Sequence, residues 1–171
     1  RGYKLFLDLK LHDIPHTVEK TMAVLTSLDV DMVNIHAAGG SAMMKAAVRG
    51  LARPDGTRPL LISVTQLTST DEETLRKELL IDLPMADVVA SYARNSLDSG
   101  LDGVVCSPLE ARRIHEVCGK KFLTVTPGVR FADGDIGDQK RVATPALARD
   151  LGADYIVVGR PITLADDPIE A

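Results

Sequence analysis

The chain has 171 residues, 45% of them hydrophobic and 26% charged, an ordinary composition for a soluble globular domain able to bury a core. Its formal net charge of −4 removes the electrostatic case for nucleic acid or an anionic membrane as partner. No apolar run reaches the roughly 20 residues of a membrane span, and no charged-then-apolar leader is present, so a cytoplasmic location is expected.

In chain order, Lys4–Lys10 predicts a strand and about Thr17–Leu28 a helix, followed by a strand at Asp31–Ala37 and a helix over about Gly40–Leu51. A turn-rich stretch, Arg53–Pro59, precedes a third strand at Leu60–Leu67, with helical pieces at Asp71–Leu79 and Met85–Ser99. Gly103–Ser107 predicts the fourth strand, Leu109–Val117 a helix and Phe122–Pro127 the fifth strand. A Gly- and Asp-rich loop leads to a helix near Pro145–Leu151, a sixth strand at Tyr155–Val158, and a last helix beginning near Asp166. Strands alternating with helices predict βαβ units and a parallel sheet in one domain, residues 1–171. An open doubly wound sheet and a TIM barrel short of two strands both fit six such units. Periodicity does not choose between them, although the glycine-rich first turn of a dinucleotide fold is absent. The two cysteines, Cys106 and Cys118, suit reduced packing residues better than a disulfide framework.

The chemistry concentrates in Asp8-Leu9-Lys10-Leu11-His12-Asp13-Ile14-Pro15. Alternation on a strand sends Leu5, Leu7 and Leu9 one way and Phe6, Asp8 and Lys10 the other. In a barrel the second set faces the interior, at the strand's C-terminal end, where barrel active sites lie. Asp13 follows in the loop and is placed to return a second carboxylate toward the ammonium. The plainer alternative is a structural ion pair at a strand end. Two carboxylates around one lysine favour function, because burying a net negative cluster is costly.

Val157-Val158-Gly159-Arg160-Pro161 ends the last strand, where barrels frequently bind phosphate; Gly159 admits an anion close to the backbone and Arg160 can grip its oxygens. An exposed arginine ending a strand is the alternative. The loop after Thr126-Pro127-Gly128-Val129-Arg130, with Asp138-Gln139-Lys140-Arg141, has the length and breakers of a lid, or of a solvated loop. His36 and Thr68 end two other strands; His36 either faces the site or is a bonded core histidine, and Thr68 either binds ligand or caps a turn. His12, His16 and His115 show no metal-ligand spacing with each other or with the cysteines, and no metal or cofactor is expected.

Asp8-Leu9-Lys10-Leu11-His12-Asp13-Ile14-Pro15 with Thr17 resembles the Asp-x-Lys-x-x-Asp signature of bacterial-type orotidine 5'-phosphate decarboxylases. Asn34-Ile35-His36-Ala37, Gly39-Gly40, Val64-Thr65-Gln66-Leu67-Thr68-Ser69, Thr126-Pro127-Gly128-Val129-Arg130, Asp138-Gln139-Lys140-Arg141 and Val158-Gly159-Arg160-Pro161-Ile162-Thr163 resemble that family in the same order. The resemblance implies a (β/α)8 barrel, about six of whose βα units are present, and decarboxylation of orotidine 5'-monophosphate without metal or cofactor. It implies Lys10 as catalytic lysine, with Asp8 and Asp13 completing its charge network. Asp13, Ile14 and Thr17 would reach the neighbouring site of a homodimer. Thr68 and Gln139 would contact the pyrimidine or bridge it to phosphate, Arg130, Gly159 and Arg160 would bind phosphate, and Pro127 would line the substrate.

Family members carry two further strands ahead of the equivalent of Lys4, and this chain begins at Arg1 without a methionine. A truncated sequence is therefore expected, and a polypeptide starting there is expected to fold poorly and turn over little substrate. Two rivals follow from the same residues: a magnesium-dependent sugar-phosphate decarboxylase or aldolase of the same superfamily, and an inactive nucleotide-binding fragment.

Overall fold

The computed structural model describes residues 2–129 and 143–170. In them strands and helices alternate: β1 Phe6–Leu11, α1 Pro15–Leu25, β2 Met32–His36, α2 Gly40–Leu51, β3 Leu60–Val64, α3 Glu72–Lys77, α4 Met85–Asp98, β4 Gly103–Val105, α5 Ala111–Cys118, β5 Leu123–Thr126, α6 Pro145–Asp150, β6 Tyr155–Ile156 and α7 Arg160–Thr163. The sheet order is β1-β2-β3-β4-β5-β6, and the pairs β1–β2, β2–β3 and β5–β6 are parallel. The fold is α/β, six βα units of the (β/α)8 barrel class. Two compact units divide the chain: Arg1–Thr65 with Ala90–Val104, and Gln66–Val89 with Val105–Ala171.

In the first unit β2 explains why the sheet is parallel. Met32, Val33, Asn34 and Ile35 are all buried, so both faces of the strand are covered, as helices on a parallel sheet require. Val18, Met22 and Leu25 recur at helical spacing on α1 and meet Met43, Met44, Ala47 and Leu51 of α2, with Val33, Ile35 and Leu61 beneath them. Gly50 sets the approach of the two helices: a Cβ there would sit 2.3 Å from the Glu19 carbonyl oxygen of α1. At the far side of this unit, Asp102 receives both ends of the Arg58 guanidinium and the Leu61 N–H, the last at 2.7 Å.

In the second unit, capping defines the helices. The Asp71 carboxylate accepts from Thr74 N–H at 2.8 Å to start α3, and Ser107 with Glu110 forms a reciprocal capping box ahead of α5. Asp154 fixes the start of β6 against β5, accepting from the Thr124 backbone N–H at 2.8 Å and its hydroxyl at 2.9 Å.

The elements fall near where the sequence predicts, with shifted boundaries; β1, for one, begins at Phe6 and not Lys4 and runs on to Leu11. The first helix starts at Pro15, a residue suited to the first helical position, and stops at Leu25, where the Thr26 and Ser27 hydroxyls donate to Ala23 and Val24 carbonyls. Strands β3, β4 and β6 are each shorter at their C-terminal ends than expected. The last helix is α7 at Arg160–Thr163, and nothing helical begins near Asp166. There the Asp167 carboxylate accepts from Ile169 N–H at 2.9 Å and Glu170 N–H at 3.3 Å, closing a turn in place of a helix.

Candidate active site

The ends of β1 and β2 hold the densest polar chemistry in the first unit. Leu7 pairs with Val33 and Leu11 with Ile35, so Asp8, Leu9 and Lys10 together stand against Asn34. The strand absorbs this excess in a bulge. Lys10 takes a left-handed conformation, φ 53°, which a residue with a Cβ adopts at a cost of roughly 1–2 kcal/mol. The simple alternation expected for β1 therefore needs correcting. Leu7 packs on the helix-side core as predicted, and Leu11 joins it, but Leu5 and Leu9 are 41% and 47% exposed.

Through the bulge, Lys10 Nζ donates to Asp8 Oδ2 at 2.6 Å. Asn34 Nδ2 donates to the other Asp8 oxygen at 2.5 Å, while Asn34 Oδ1 accepts the Lys10 backbone N–H at 2.7 Å. The ion pair is half open to solvent, its side chains 41% and 47% exposed, so its contribution to stability is small. Its consequence is positional: one ammonium is held at the C-terminal end of a strand against a fixed carboxylate.

His36 closes β2 and faces His12, ring centroids 5.6 Å apart. Burial, then the positive fields of His12 and Lys10, hold its pKa below 6.5, against an opposing pull from Asp8. The imidazole is consequently neutral at pH 7, a donor or acceptor rather than another cation beside Lys10.

Asp13 does not join Lys10. Its carboxylate accepts from the Ile14 N–H at 2.7 Å, at the turn where Pro15 opens α1, and no ion pair links it to the ammonium. With Ile14, which is 66% exposed, it lines an open cavity of about 500 Å³ shared with His12, Pro15, Ala38 and Gly39. Thr17 is exposed on the first turn of α1.

The other expected residues lie in the second unit. Thr68 is buried beyond β3, and Pro127 is half-buried before Gly128, whose φ of 76° turns the chain out of β5. Gly159 precedes α7 and Arg160 opens it, both exposed, with Gly159 O accepting from Ile162 and Thr163 N–H. Arg130, Asp138, Gln139, Lys140 and Arg141 fall outside the described residues. Among the described residues, no group of three His, Cys, Asp or Glu side chains is arranged to hold a metal ion, and no helix is long and apolar enough to cross a membrane.

Motif reading included Asn34 in Asn34-Ile35-His36-Ala37 but gave it no role. A signal for it existed: an amide inside an otherwise apolar buried strand must find partners for both its oxygen and its nitrogen.

The family model described as orotidine 5'-phosphate decarboxylase / HUMPS matches residues 1–171. The chain belongs to this family. A protein of Bacillus cereus (strain G9842) named orotidine 5'-phosphate decarboxylase is 60% identical over 174 residues, covering 100% of this chain and 73% of its own. Another of that name from Bacillus mycoides (strain KBAB4) is 59% identical with the same coverage. The crystal structure of orotidine 5'-phosphate decarboxylase from Lactobacillus acidophilus superposes with a TM-score of 0.83 at 47% identity, over 98% of this chain and 71% of that one. An uncharacterized conserved protein from Geobacillus kaustophilus gives the same TM-score at 49% identity. The chain thus has the fold of an orotidine 5'-phosphate decarboxylase, with Asp8 and Lys10 on β1 and Asp13 in the turn before α1.

Proposed function

We propose that this protein decarboxylates orotidine 5'-monophosphate to uridine 5'-monophosphate, with Lys10 as the group that meets the developing charge. The observation that carries this reading is the Lys10–Asp8 pair, fixed at the end of β1 by Asn34, in a chain of this family. Carbon dioxide departs and its bonding electron pair stays on the ring carbon. The ammonium stabilises that carbanion and then gives it a proton, and the resulting amine is recharged from water. A unit charge pair at about 4 Å is worth roughly 4 kcal/mol at an effective dielectric of 20, or about a thousandfold in rate. Because the ammonium is already held by Asp8 and not gathered during the reaction, that attraction is available without reorganisation.

Substrate phosphate is assigned to Arg130, Gly159 and Arg160, and the pyrimidine and its link to phosphate to Thr68, Pro127 and Gln139. Binding energy from a phosphate remote from the reacting carbon supports orientation of the ring. Asp13, Ile14 and Thr17 are assigned to a neighbouring copy's site. Their exposure, and the commitment of the Asp13 carboxylate to the Ile14 N–H and not to Lys10, support that assignment. The protein is read as a cytoplasmic homodimer with a small-molecule substrate and no metal or other cofactor.

The test is the loss of orotidine 5'-monophosphate absorbance in chelator, using protein produced from its full reading frame. Turnover should persist in chelator and fall by at least about a thousandfold in Lys10→Ala. A folded protein inert toward this substrate, or dependent on magnesium for turnover of a sugar phosphate, would overturn the assignment.

A further inference from the structure

We infer that Asn34 is a positioning residue for the reaction, setting where the Lys10 ammonium stands by clamping both ends of the β1 bulge. The inference rests on the reading of Lys10 as the catalytic group. Asn34 is 1% exposed, so its amide must be satisfied from within the protein. Both of its partners belong to the bulge. Its oxygen takes the Lys10 N–H at 2.7 Å, which the interrupted ladder leaves without a strand partner. Its nitrogen donates at 2.5 Å to Asp8 Oδ1, the carboxylate oxygen that Lys10 does not use.

The amide orientation is dictated by these neighbours, since an N–H requires an acceptor and a carboxylate requires a donor. One short planar side chain therefore enforces two conditions at once. It compensates the left-handed backbone at Lys10, φ 53°, and it stops the Asp8 carboxylate from rotating away from the ammonium. No other side chain of this length offers an acceptor and a donor together without charge. Leucine would leave the Lys10 N–H unsatisfied; an ionised aspartate would keep that acceptor but set a second negative charge against Asp8.

A protonated carboxyl group, however, has the amide's pattern: a carbonyl oxygen to accept and an O–H to donate. This gives a readout that a packing role would not produce. In the full-length protein, Asn34→Leu should lower kcat by about a hundredfold, the effect of misplacing a reacting group by about 1 Å, while KM changes less than threefold. Asn34→Asp should be similarly impaired at pH 8, and its kcat relative to wild type should recover at least tenfold by pH 5.5, as the introduced carboxyl becomes protonated. If Asn34→Leu does not fold, the pH profile of Asn34→Asp decides alone. A folded Asn34→Leu with kcat within threefold of wild type would overturn the inference, as would an Asn34→Asp ratio independent of pH. Full activity in Lys10→Ala would instead overturn the catalytic reading beneath it.

Discussion

Asp102→Ala removes a carboxylate that serves two strands at once. The Asp102 oxygens accept from both terminal nitrogens of Arg58, and one of them also accepts the Leu61 N–H at 2.7 Å. Arg58 is additionally tied to the Pro59 and Gly100 carbonyls, each at 3.0 Å, so the guanidinium cannot swing freely into water when its counter-charge disappears. A hydrogen bond to a charged group contributes about 1.5–3 kcal/mol. The two side chains are 22% and 26% exposed, which argues for the low end of that range. Two charge-assisted bonds at that end, with about 1 kcal/mol more for a strand N–H deprived of its acceptor, total about 4 kcal/mol. For a chain of this size that corresponds to a fall in Tm of about 8–16 °C. Urea unfolding read by linear extrapolation, with the m-value unchanged, supplies the measurement. A loss under about 1 kcal/mol would refute the reasoning and class the pair with exposed salt bridges. Asp102→Asn, which keeps an acceptor for Leu61, should cost less than the alanine variant.

His36 makes stability pH-dependent in one direction. Because its folded pKa lies below 6.5, the unfolded chain takes up the proton first as pH falls. Stability should decline from about pH 6.5 downward until the folded pKa is passed, and His36→Asn should flatten Tm against pH over that window; an unchanged slope would remove His36 as the cause. Gly50→Ala should cost about 3 kcal/mol in chemical denaturation, at the upper end for overpacking. Its Cβ would meet the Glu19 carbonyl oxygen at 2.3 Å and Met22 Cβ at 2.9 Å, and neither has room to yield. Gly39→Ala should cost under about 1 kcal/mol despite a nominal 2.2 Å approach, because the atom it meets is Met43 Sδ at the end of a flexible side chain.

The order of strands and helices was readable from the sequence because each element carries its own periodicity. Val18, Met22 and Leu25 mark a helix face whatever lies around them, and Met32–Ile35 is apolar enough to be a covered strand. Asp8 and Lys10 were readable for a different reason: two opposite charges on alternate positions of an apolar strand need an explanation. The bulge was not. Left-handed backbone is announced in sequence by glycine or asparagine, and position 10 is a lysine whose conformation is imposed from the next strand. Asn34 escaped for the same reason, since its role exists only once the β1–β2 register is fixed. The last helix failed through local competition, where the Asp167 carboxylate captured backbone N–H groups that a helix would have used.

The Asn34 bridge also makes chemistry a gauge of strand alignment. A one-residue slip of β1 along β2 would turn the β1 side chains toward the opposite face and set Val33 or Ile35 against the bulge. Neither side chain has an acceptor for the Lys10 N–H or a donor for Asp8, so a mispaired molecule would lose its ammonium placement together with the packing of Leu7 and Leu11. Spectroscopic measures of secondary structure would scarcely separate the two states. Specific activity per mole of folded protein would, and it therefore reports the fraction of chains refolded in the correct register.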